Sequence, residues 1–306
     1  MSARFDRIAV VGLGLLGGSV AGAARRRGVA ARVVGVTRSR EAAALARERG
    51  AVDEVATDVA SGVRGAGLVV LATPVTAMAE VLRAAAPALA EGTLVTDVGS
   101  VKGCLAETLP GLLPPGVHYV GAHPMAGSHQ SGLRHARPDL LEGAACVVTP
   151  GPHAPAEARE AVCAFWRDLG TRVLVREPAV HDREVAWVSH APHALAFAFA
   201  HALAGAPGGA GEVRGGGFRD FTRIAWSDPE LWSDILVHNR KAVAEPLAAA
   251  AEGLAALSRL LEAGDGDALH RFLANARESL ARVANDARSG GDHPEIQAAP
   301  DAAAKE

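Results

Sequence analysis

Residues 7 to 19 read RIAVVGLGLLGGS, a β-branched run that passes directly into a glycine-rich turn, and helix-forming residues follow. Gly12, Gly14 and Gly17 therefore form the pattern G-x-G-x-x-G between a predicted strand and a predicted helix. In this setting the first glycine permits a tight turn, the second lets a pyrophosphate approach the backbone, and the third lets the helix pack on the strand. The stretch predicts a dinucleotide site, with phosphate held by the N–H groups at the start of the helix.

Short β-branched runs alternate with helical stretches through the first half of the chain. The candidate strands are residues 7–11, 32–36, 68–72, 93–98, 118–120, 145–149 and 171–175. This alternation predicts an α/β fold with a mostly parallel, doubly wound sheet.

Strand-like runs end before Pro178, and apolar-periodic helices follow. We therefore expect a Rossmann-type dinucleotide-binding domain over residues 1–177 and an all-helical substrate and dimerisation domain over residues 178–288. Residues 289–306 are small and polar, which predicts a disordered tail.

Three local features of the helical part lead to specific expectations. The alanine-rich stretch 185–206 is expected to be buried on most sides. Ser227 and Glu230 fit a capping box at the start of a helix that Pro246 should bend or break. A final helix is expected to end near Arg288.

Composition limits the classes of partner. The chain has 306 residues, of which 49% are apolar, and a formal net charge of −3 without a basic stripe, which argues against nucleic-acid binding. The three cysteines, Cys104, Cys146 and Cys163, lack C-x-x-C spacing, which is typical of a reducing compartment. We expect a soluble cytoplasmic protein with no membrane association, and a homodimer that buries the apolar helical surface.

Four further motifs accompany the glycine fingerprint. They are DVGSVK at 97–102, GAHPMAGS at 121–128, SHAPH at 189–193 and GGFRDFTRIA at 216–225. In order and spacing they resemble the prephenate and arogenate dehydrogenases of tyrosine biosynthesis, from residue 7 to about residue 286.

The resemblance implies an oxidative decarboxylation, in which hydride leaves a cyclohexadienol ring for nicotinamide while the ring carboxylate departs as carbon dioxide. It assigns His123 as the catalytic residue that accepts the hydroxyl hydrogen, and it places Ser100 beside this histidine. Neutral imidazole is the competent form. From the sequence, His123 is expected in a stiff Pro/Gly loop after a strand ending at Val120. The alternative to the catalytic role is that His123 only braces this loop.

The resemblance also implies the remaining site residues. Arg223 matches a substrate-binding arginine, suited to a dianionic substrate because its charge is permanent, although which carboxylate it takes stays open. His193 is implied as a substrate-side hydrogen-bond donor, and His190 as a partner of Asp182. The other implied pocket residues are Ser128, His129, Gly216, Asp220 and Trp232, and for Trp232 simple core packing is an equal alternative.

A metal site is the alternative explanation of the spacing between His190 and His193. No third and fourth ligand stands at a useful spacing, so we expect no metal.

Position 129 departs from the family pattern. Many relatives carry an acidic residue there, where a carboxylate would pair with the amino group of arogenate, whereas this chain has His129. The departure favours prephenate over arogenate as substrate.

The end of the second predicted strand bears on the cofactor, NAD(P). Enzymes that use NAD usually place Asp or Glu there, whereas this chain continues with Thr37, Arg38, Ser39 and Arg40. Arginine and hydroxyl groups suit a 2′-phosphate, so NADP is favoured over NAD. The other expected cofactor contacts are Leu15, Leu16, Thr73 and Pro74.

Two other functions remain open. A β-hydroxyacid dehydrogenase would need a G-x-x-x-K-x-x-x-N helix, and Lys241 is the only lysine between residues 103 and 304. A non-catalytic nucleotide sensor would have no use for His123, Ser100 and Arg223 together. Feedback inhibition by tyrosine is not decided by the sequence.

Overall fold

A computed structural model describes residues 3–127 and 130–289. The strands are β1 (Phe5–Val11), β2 (Ala30–Val36), β3 (Glu54–Ala56), β4 (Leu68–Leu71), β5 (Leu94–Asp97), β6 (His118–Pro124), β7 (Ala145–Pro150) and β8 (Arg172–Val175). They form one eight-stranded sheet in the order β3-β2-β1-β4-β5-β6-β7-β8. Each neighbouring pair is parallel except β6 and β7. The predicted doubly wound sheet is confirmed, and its strand order reverses between β1 and β4, where such sheets bind ligands.

The sequence prediction differs from the sheet in two places. Strand β3, three residues long, was not predicted, because so short a run carries no periodic signal. Strand β6 does not end at Val120 but continues to Pro124, so His123 lies in a strand and not in a loop. The extension follows from antiparallel pairing with β7, which sets His123 opposite Val147. This partner comes from far along the chain and leaves no mark on the local sequence.

Helices cover both faces of the sheet. They are α1 (Leu15–Arg26), α2 (Arg40–Glu48), α3 (Val59–Val63), α4 (Val75–Ala85), α5 (Gly103–Thr108) and α6 (Ala156–Asp168). One core cluster includes Val20 of α1 and Phe165 of α6, and the cluster on the other face includes Met78 of α4 and Leu105 of α5. The strands are apolar on both sides because each face of the sheet is covered.

The remaining helices are α7 (Pro178–Val185), α8 (Ala191–Ala202), α9 (Gly216–Thr222), α10 (Pro229–His238), α11 (Arg240–Ala263) and α12 (Gly266–Ser289). Between α7 and α8, residues Ala186–His190 form a π-helical turn. The wider turn comes just before Pro192, which has no N–H to give to the helical ladder. The final helix ends one residue beyond the predicted Arg288.

Two predicted helix boundaries were wrong. The N-cap of α10 is Asp228 and not Ser227, because the Asp228 carboxylate accepts a hydrogen bond of 2.9 Å from the Glu230 N–H. Pro246 does not interrupt α11, in which it is buried. The helical run instead breaks at Asn239, whose side chain is used in tertiary hydrogen bonds.

The stretch 185–206 is less buried than its composition predicted. Among its apolar side chains Trp187, Val188, Phe199 and Leu203 are exposed. Phe199 contacts the ring of Phe221 on α9 edge to face, but it stays exposed, so the expectation of burial on most sides was wrong for the isolated chain.

The compact unit that contains the sheet continues up to Leu247, and a second unit begins at Ala248. The helices from α7 to α10 therefore belong to the unit that holds the sheet. Within the described ranges, no helix is long and apolar enough to cross a membrane.

The glycine fingerprint offers a matched pair of variants. A Cβ at Gly17 would collide with the Gly12 carbonyl oxygen, whereas a Cβ at Gly14 would meet nothing within 4 Å. We expect Gly17→Ala to lower the free energy of unfolding by about 1–3 kcal/mol, because backbone atoms must move. Gly14→Ala, the control, should leave urea-induced unfolding unchanged. Equal stability of the two variants would contradict the proposed close packing of α1 on β1.

Candidate active site

A buried ion pair ties the loop after β5 to strand β6. Asp97 and Lys102 have side chains that are 0% exposed and bonded to each other. Asp97 also accepts hydrogen bonds from the Tyr119 hydroxyl at 2.9 Å and from the Ala122 N–H at 3.1 Å. The Lys102 ammonium donates to the Ala122 carbonyl at 2.8 Å. These bonds hold β6 at Ala122, directly before the candidate base His123.

His123 begins a line of buried polar groups. Its Nδ1 lies 2.8 Å from Nε2 of His181, and Nδ1 of His181 lies 2.8 Å from Oδ1 of Asp182. The Asp182 carboxylate also accepts hydrogen bonds of 2.8 Å from the backbone N–H groups of Lys102 and Gly103. The line runs from strand β6 through α7 to the loop after β5.

The surroundings of His123 keep its ring neutral. Burial, followed by repulsion from His181, Lys102 and His190, holds the pKa of His123 well below its usual range. Burial alone would raise the pKa of Asp182, but the hydrogen bonds from His181, Lys102 and Gly103 lower it. A neutral imidazole that is linked through His181 to an ionised carboxylate is able to accept a proton.

His190 is linked to Asp182 through the side chain of Asn239. The Asn239 amide nitrogen donates to the Asp182 backbone carbonyl at 2.8 Å and lies 2.9 Å from His190 Nδ1. Since an amide nitrogen only donates, His190 Nδ1 is the acceptor. Burial lowers the pKa of His190 to about 4, so this ring is neutral as well. The carboxylate of Asp182 is committed elsewhere, to His181 and the two backbone N–H groups.

His193 and Trp232 form a stacked pair. Their ring centroids are 3.6 Å apart, with an interplanar angle of 16°. His193 Nδ1 lies 2.9 Å from the Ser189 carbonyl, which can only accept, so Nδ1 carries the proton. In the neutral ring Nε2 then accepts, and His193 could donate there only as an imidazolium. Burial lowers the pKa of His193, the hydrogen bond to the Ser189 carbonyl opposes this effect, and the Arg223 guanidinium lowers the pKa further. The role of His193 as a hydrogen-bond donor to the substrate stays a prediction.

Packing brings the loop after β5 to the stacked pair. Val101 and Trp232 belong to one apolar cluster with Ile235, and Ser100, half-buried, directly precedes Val101. Trp232 therefore packs in a core and also presents its ring to His193. Core packing of Trp232 is observed, and its role in the substrate pocket stays a prediction.

The other predicted substrate residues are exposed to solvent or lie outside the described residues. Arg223 is exposed, and its charge acts on His193. Gly216 and Asp220 are exposed on α9. Ser128 and His129, like the tail from residue 290, lie outside the described residues.

The glycine turn fits a dinucleotide. Gly12 has φ of 101°, and a Cβ there would lie 2.5 Å from the Ala72 carbonyl oxygen. Gly14 is open, and the start of α1 has no side-chain cap, so the N–H groups around Leu15 and Leu16 suit a phosphate. Thr73 supplies a second indication, because its buried hydroxyl has no hydrogen-bond partner among residues 3–127 and 130–289.

The remaining predicted cofactor residues follow strands β2 and β4. Ser39 caps α2 by accepting from the Ala42 N–H at 3.1 Å, while Arg38 is exposed beside it. The Thr37 hydroxyl accepts a bond of 3.2 Å from the Ser39 N–H. Pro74 is the N-cap of α4. Both hydroxyl groups predicted for a 2′-phosphate accept a local hydrogen bond, and each keeps its O–H proton to donate.

Sequence reasoning missed His181 and Asn239. His181 stood directly before the predicted Asp182, and this adjacency was the one available signal. Asn239 had none, because its role depends on where α10 ends.

Neutral His190 predicts a loss of stability in acid. The unfolded chain takes up a proton below its ordinary pKa of 6.5, whereas the folded chain does so only near 4. The contribution of neutral His190 to the free energy of unfolding is therefore fully present above pH 6.5, and it falls as the pH drops towards the pKa of about 4 in the folded chain. At about pH 5 the contribution lost is on the order of 2 kcal/mol. Urea unfolding of wild type and His190→Gln between about pH 7.5 and pH 5 should show a smaller loss in the variant. His201→Gln, at an exposed position of α8, is the control. A loss of stability in His190→Gln as large as in wild type would refute the conclusion that His190 is neutral in the folded chain.

Two family models of known proteins match consecutive parts of this chain. Residues 20–175 match the family model described as the prephenate dehydrogenase nucleotide-binding domain, and residues 177–275 match the prephenate dehydrogenase dimerization domain. The prephenate dehydrogenase of Bacillus subtilis is 33% identical over 277 residues, which cover 89% of this chain and 75% of the relative. The cyclohexadienyl dehydrogenase of Zymomonas mobilis is 32% identical over 286 residues, which cover 92% of this chain and 97% of the relative.

Among solved structures, the chain is similar to prephenate dehydrogenase from Aquifex aeolicus in complex with hydroxyphenyl propionate and NAD+. The TM-score is 0.84 at 32% identity, and the match covers 91% of this chain and 98% of that one. Since the two family models together span most of the sequence and these relatives match nearly all of it, the chain belongs to the prephenate dehydrogenase family.

Proposed function

We propose that this protein is an NAD(P)-dependent prephenate dehydrogenase, which converts prephenate to 4-hydroxyphenylpyruvate and carbon dioxide. The observation that carries the proposal is a buried, neutral His123 held in line with His181 and Asp182 in a chain of this family. A dinucleotide held by its pyrophosphate at the turn around Gly12 and Gly14 would supply the nicotinamide as hydride acceptor. The remaining work for the protein is to orient the ring and to receive the proton of its hydroxyl group.

His123 suits the proton transfer. Its low pKa keeps the lone pair available near neutral pH, and its 7% exposure shields the transferred proton from water. Ser100, which the family resemblance places beside the hydroxyl, is our candidate for a second hydrogen bond to it. Because aromatisation of the ring drives the reaction, modest help with the proton is enough.

Arg223 is our candidate for holding a substrate carboxylate. It is exposed and its charge acts on His193, which places a permanent cation near the His193–Trp232 stack. His193 and Trp232 would then contact the ring or side chain of the substrate. Gly216, Asp220, Ser128 and His129 are kept as candidate pocket residues from the resemblance alone.

Substrate choice rests on His129. An imidazole carries no negative charge and so offers the ammonium of arogenate no ionic partner, and we therefore propose prephenate as the preferred substrate. Arogenate is the alternative, and the ratio of the two specificity constants distinguishes them.

For the nucleotide, we propose NADP over NAD. Strand β2 is followed by Thr37 and Arg38 where a carboxylate would repel a 2′-phosphate, and Arg38 is exposed at the start of α2. The cation carries this preference, and the Ser39 hydroxyl, which accepts from the Ala42 N–H, still has a proton to donate to the phosphate.

We further propose a homodimer formed by the helical part, with the domain boundary at residue 177. The exposed apolar side chains Trp187, Val188, Phe199 and Trp226 support it, because monomers rarely leave so many large apolar groups in water. The family model over this region describes a dimerization domain.

Turnover of purified protein tests the function. Wild type with prephenate and either nucleotide should produce reduced nicotinamide, and His123→Asn should lower kcat by about two to four orders of magnitude, the usual contribution of a positioned base. Nucleotide affinity should be unchanged. His135→Asn, at another histidine of the same unit, is the control. No turnover by wild type with prephenate or arogenate would favour a nucleotide sensor, and full activity of His123→Asn would remove His123 from the mechanism.

Cofactor preference has its own test. Arg38→Asp should shift the ratio of specificity constants towards NAD, because it adds repulsion as well as removing attraction. Arg47→Asp, which changes the net charge equally at the other end of α2, should leave the ratio unchanged. A wild-type protein that prefers NAD would refute the proposal without any variant.

A further inference from the structure

His181 lies wholly inside the protein between two groups of the site. Its ring is 0% exposed, and both ring nitrogens are within 2.8 Å of a partner, His123 on one side and Asp182 on the other. The rings of the two histidines meet edge to face at an interplanar angle of 71°. A ring so placed can neither turn over nor exchange its partners for water.

The chemistry of the partners fixes where the protons sit. An ionised carboxylate only accepts, so His181 must carry its proton on Nδ1 to bond Asp182. In the neutral ring, Nε2 of His181 then has the lone pair, and it accepts from Nδ1 of His123. His123 in turn must carry its proton on Nδ1, which leaves the lone pair on its Nε2.

We propose that His181 is a positioning residue, which sets the Nδ1–H tautomer of His123 and so presents Nε2 as the proton acceptor. The inference rests on the proposed function, for which it names the reacting nitrogen. In the transfer, the O–H bond of the substrate breaks and an N–H bond forms at Nε2 of His123. The imidazolium that results keeps its Nδ1–H bond to His181, and no proton leaves His181 or Asp182.

The Asp182 carboxylate is itself held firmly. It accepts from the backbone N–H groups of Lys102 and Gly103, and a Cβ at Gly103 would lie 2.9 Å from its Oδ2. The carboxylate therefore cannot rotate away from His181 without giving up two further hydrogen bonds. When a histidine acts as base beside a serine nucleophile, the orienting carboxylate bonds the base itself, whereas here Asp182 orients His181, which in turn accepts from the base His123.

Other charged and titratable groups surround His123 from each neighbouring element. They are Asp97 and Lys102 at the end of β5, Cys146 on β7, His181 and Asp182 on α7, and His190 on the π-helical turn. Asp97 and Lys102 neutralise each other, and His190 is bonded to Asn239. The acceptor on His181 is therefore the group whose removal should change the protonation of His123.

The tautomer can be observed without any turnover. Long-range nitrogen–proton correlation spectra of protein labelled with nitrogen-15 histidine distinguish a protonated from an unprotonated ring nitrogen, and His123→Asn identifies the signals of residue 123. At about pH 7.5, where an unperturbed histidine is neutral, we expect protonated Nδ1 and unprotonated Nε2 at His123. A proton on Nε2 would overturn the proposal, whether or not the protein turns over prephenate.

Kinetics supply the second test. His181→Phe keeps the ring volume but removes the acceptor, and it should lower kcat by about tenfold to a thousandfold, less than loss of the base itself. KM for prephenate and nucleotide affinity should stay near wild type. The acid limb of the kcat profile should shift, because His181→Phe removes both the acceptor that bonds Nδ1 of the His123 imidazolium and the repulsion from His181. His181→Gln, which retains an acceptor oxygen, should recover part of kcat.

His118→Phe, the same substitution at a half-buried histidine at the start of β6, is the control for volume and packing. Thermal unfolding checks that every variant is folded. If His181→Phe is unfolded, the role of His181 is tested by comparing wild type with His181→Gln and by the tautomer spectrum. An active wild type with an unchanged pH profile in His181→Phe would refute the role of His181 while leaving the proposed function intact. An inactive wild type would refute the function, and the tautomer spectrum would still stand as the test of His181.

Discussion

The buried ion pair of Asp97 and Lys102 is the interaction on which the rest of the site depends. Placing two charges in the interior is tolerable only if every remaining donor and acceptor is satisfied, and removing one partner from such a pair costs about 3–5 kcal/mol. Here Asp97 accepts from Tyr119, and Lys102 donates to Ala122. The pair therefore fixes strands β5 and β6 relative to each other directly beside His123.

Lys102 also joins the sheet to the helices. Its side chain faces β6, while its backbone N–H donates to the Asp182 carboxylate on α7. A single residue thus sets the distance between His123 on the sheet and His181 on the helix. A shift of the loop after β5 would disturb both at once, which explains why so much hydrogen bonding is concentrated there.

Several features of this arrangement were predictable from the sequence. The strand, turn and helix around Gly12, Gly14 and Gly17 depend on residues adjacent in the chain, so their signal is local. The end of β6 was not predictable, because its last residues are held by β7. The N-cap at Asp228 and the uninterrupted helix around Pro246 were mispredicted, since two neighbouring residues can each cap a helix and a buried proline can be held by packing.

The sequence by itself determined the α/β class and predicted the dinucleotide turn, because both signals come from residues near one another in the chain. It pointed to His123 as the candidate base only through the resemblance to a family. Only the tertiary structure decided which groups surround that base. His123 and His181 are separated by 58 positions, and Asp182 and Asn239 by 57. Hydrogen bonds between residues so far apart depend on the path of the whole chain. The proposed tautomer of His123 and the hydrogen-bond partner of His190 therefore depend on it too.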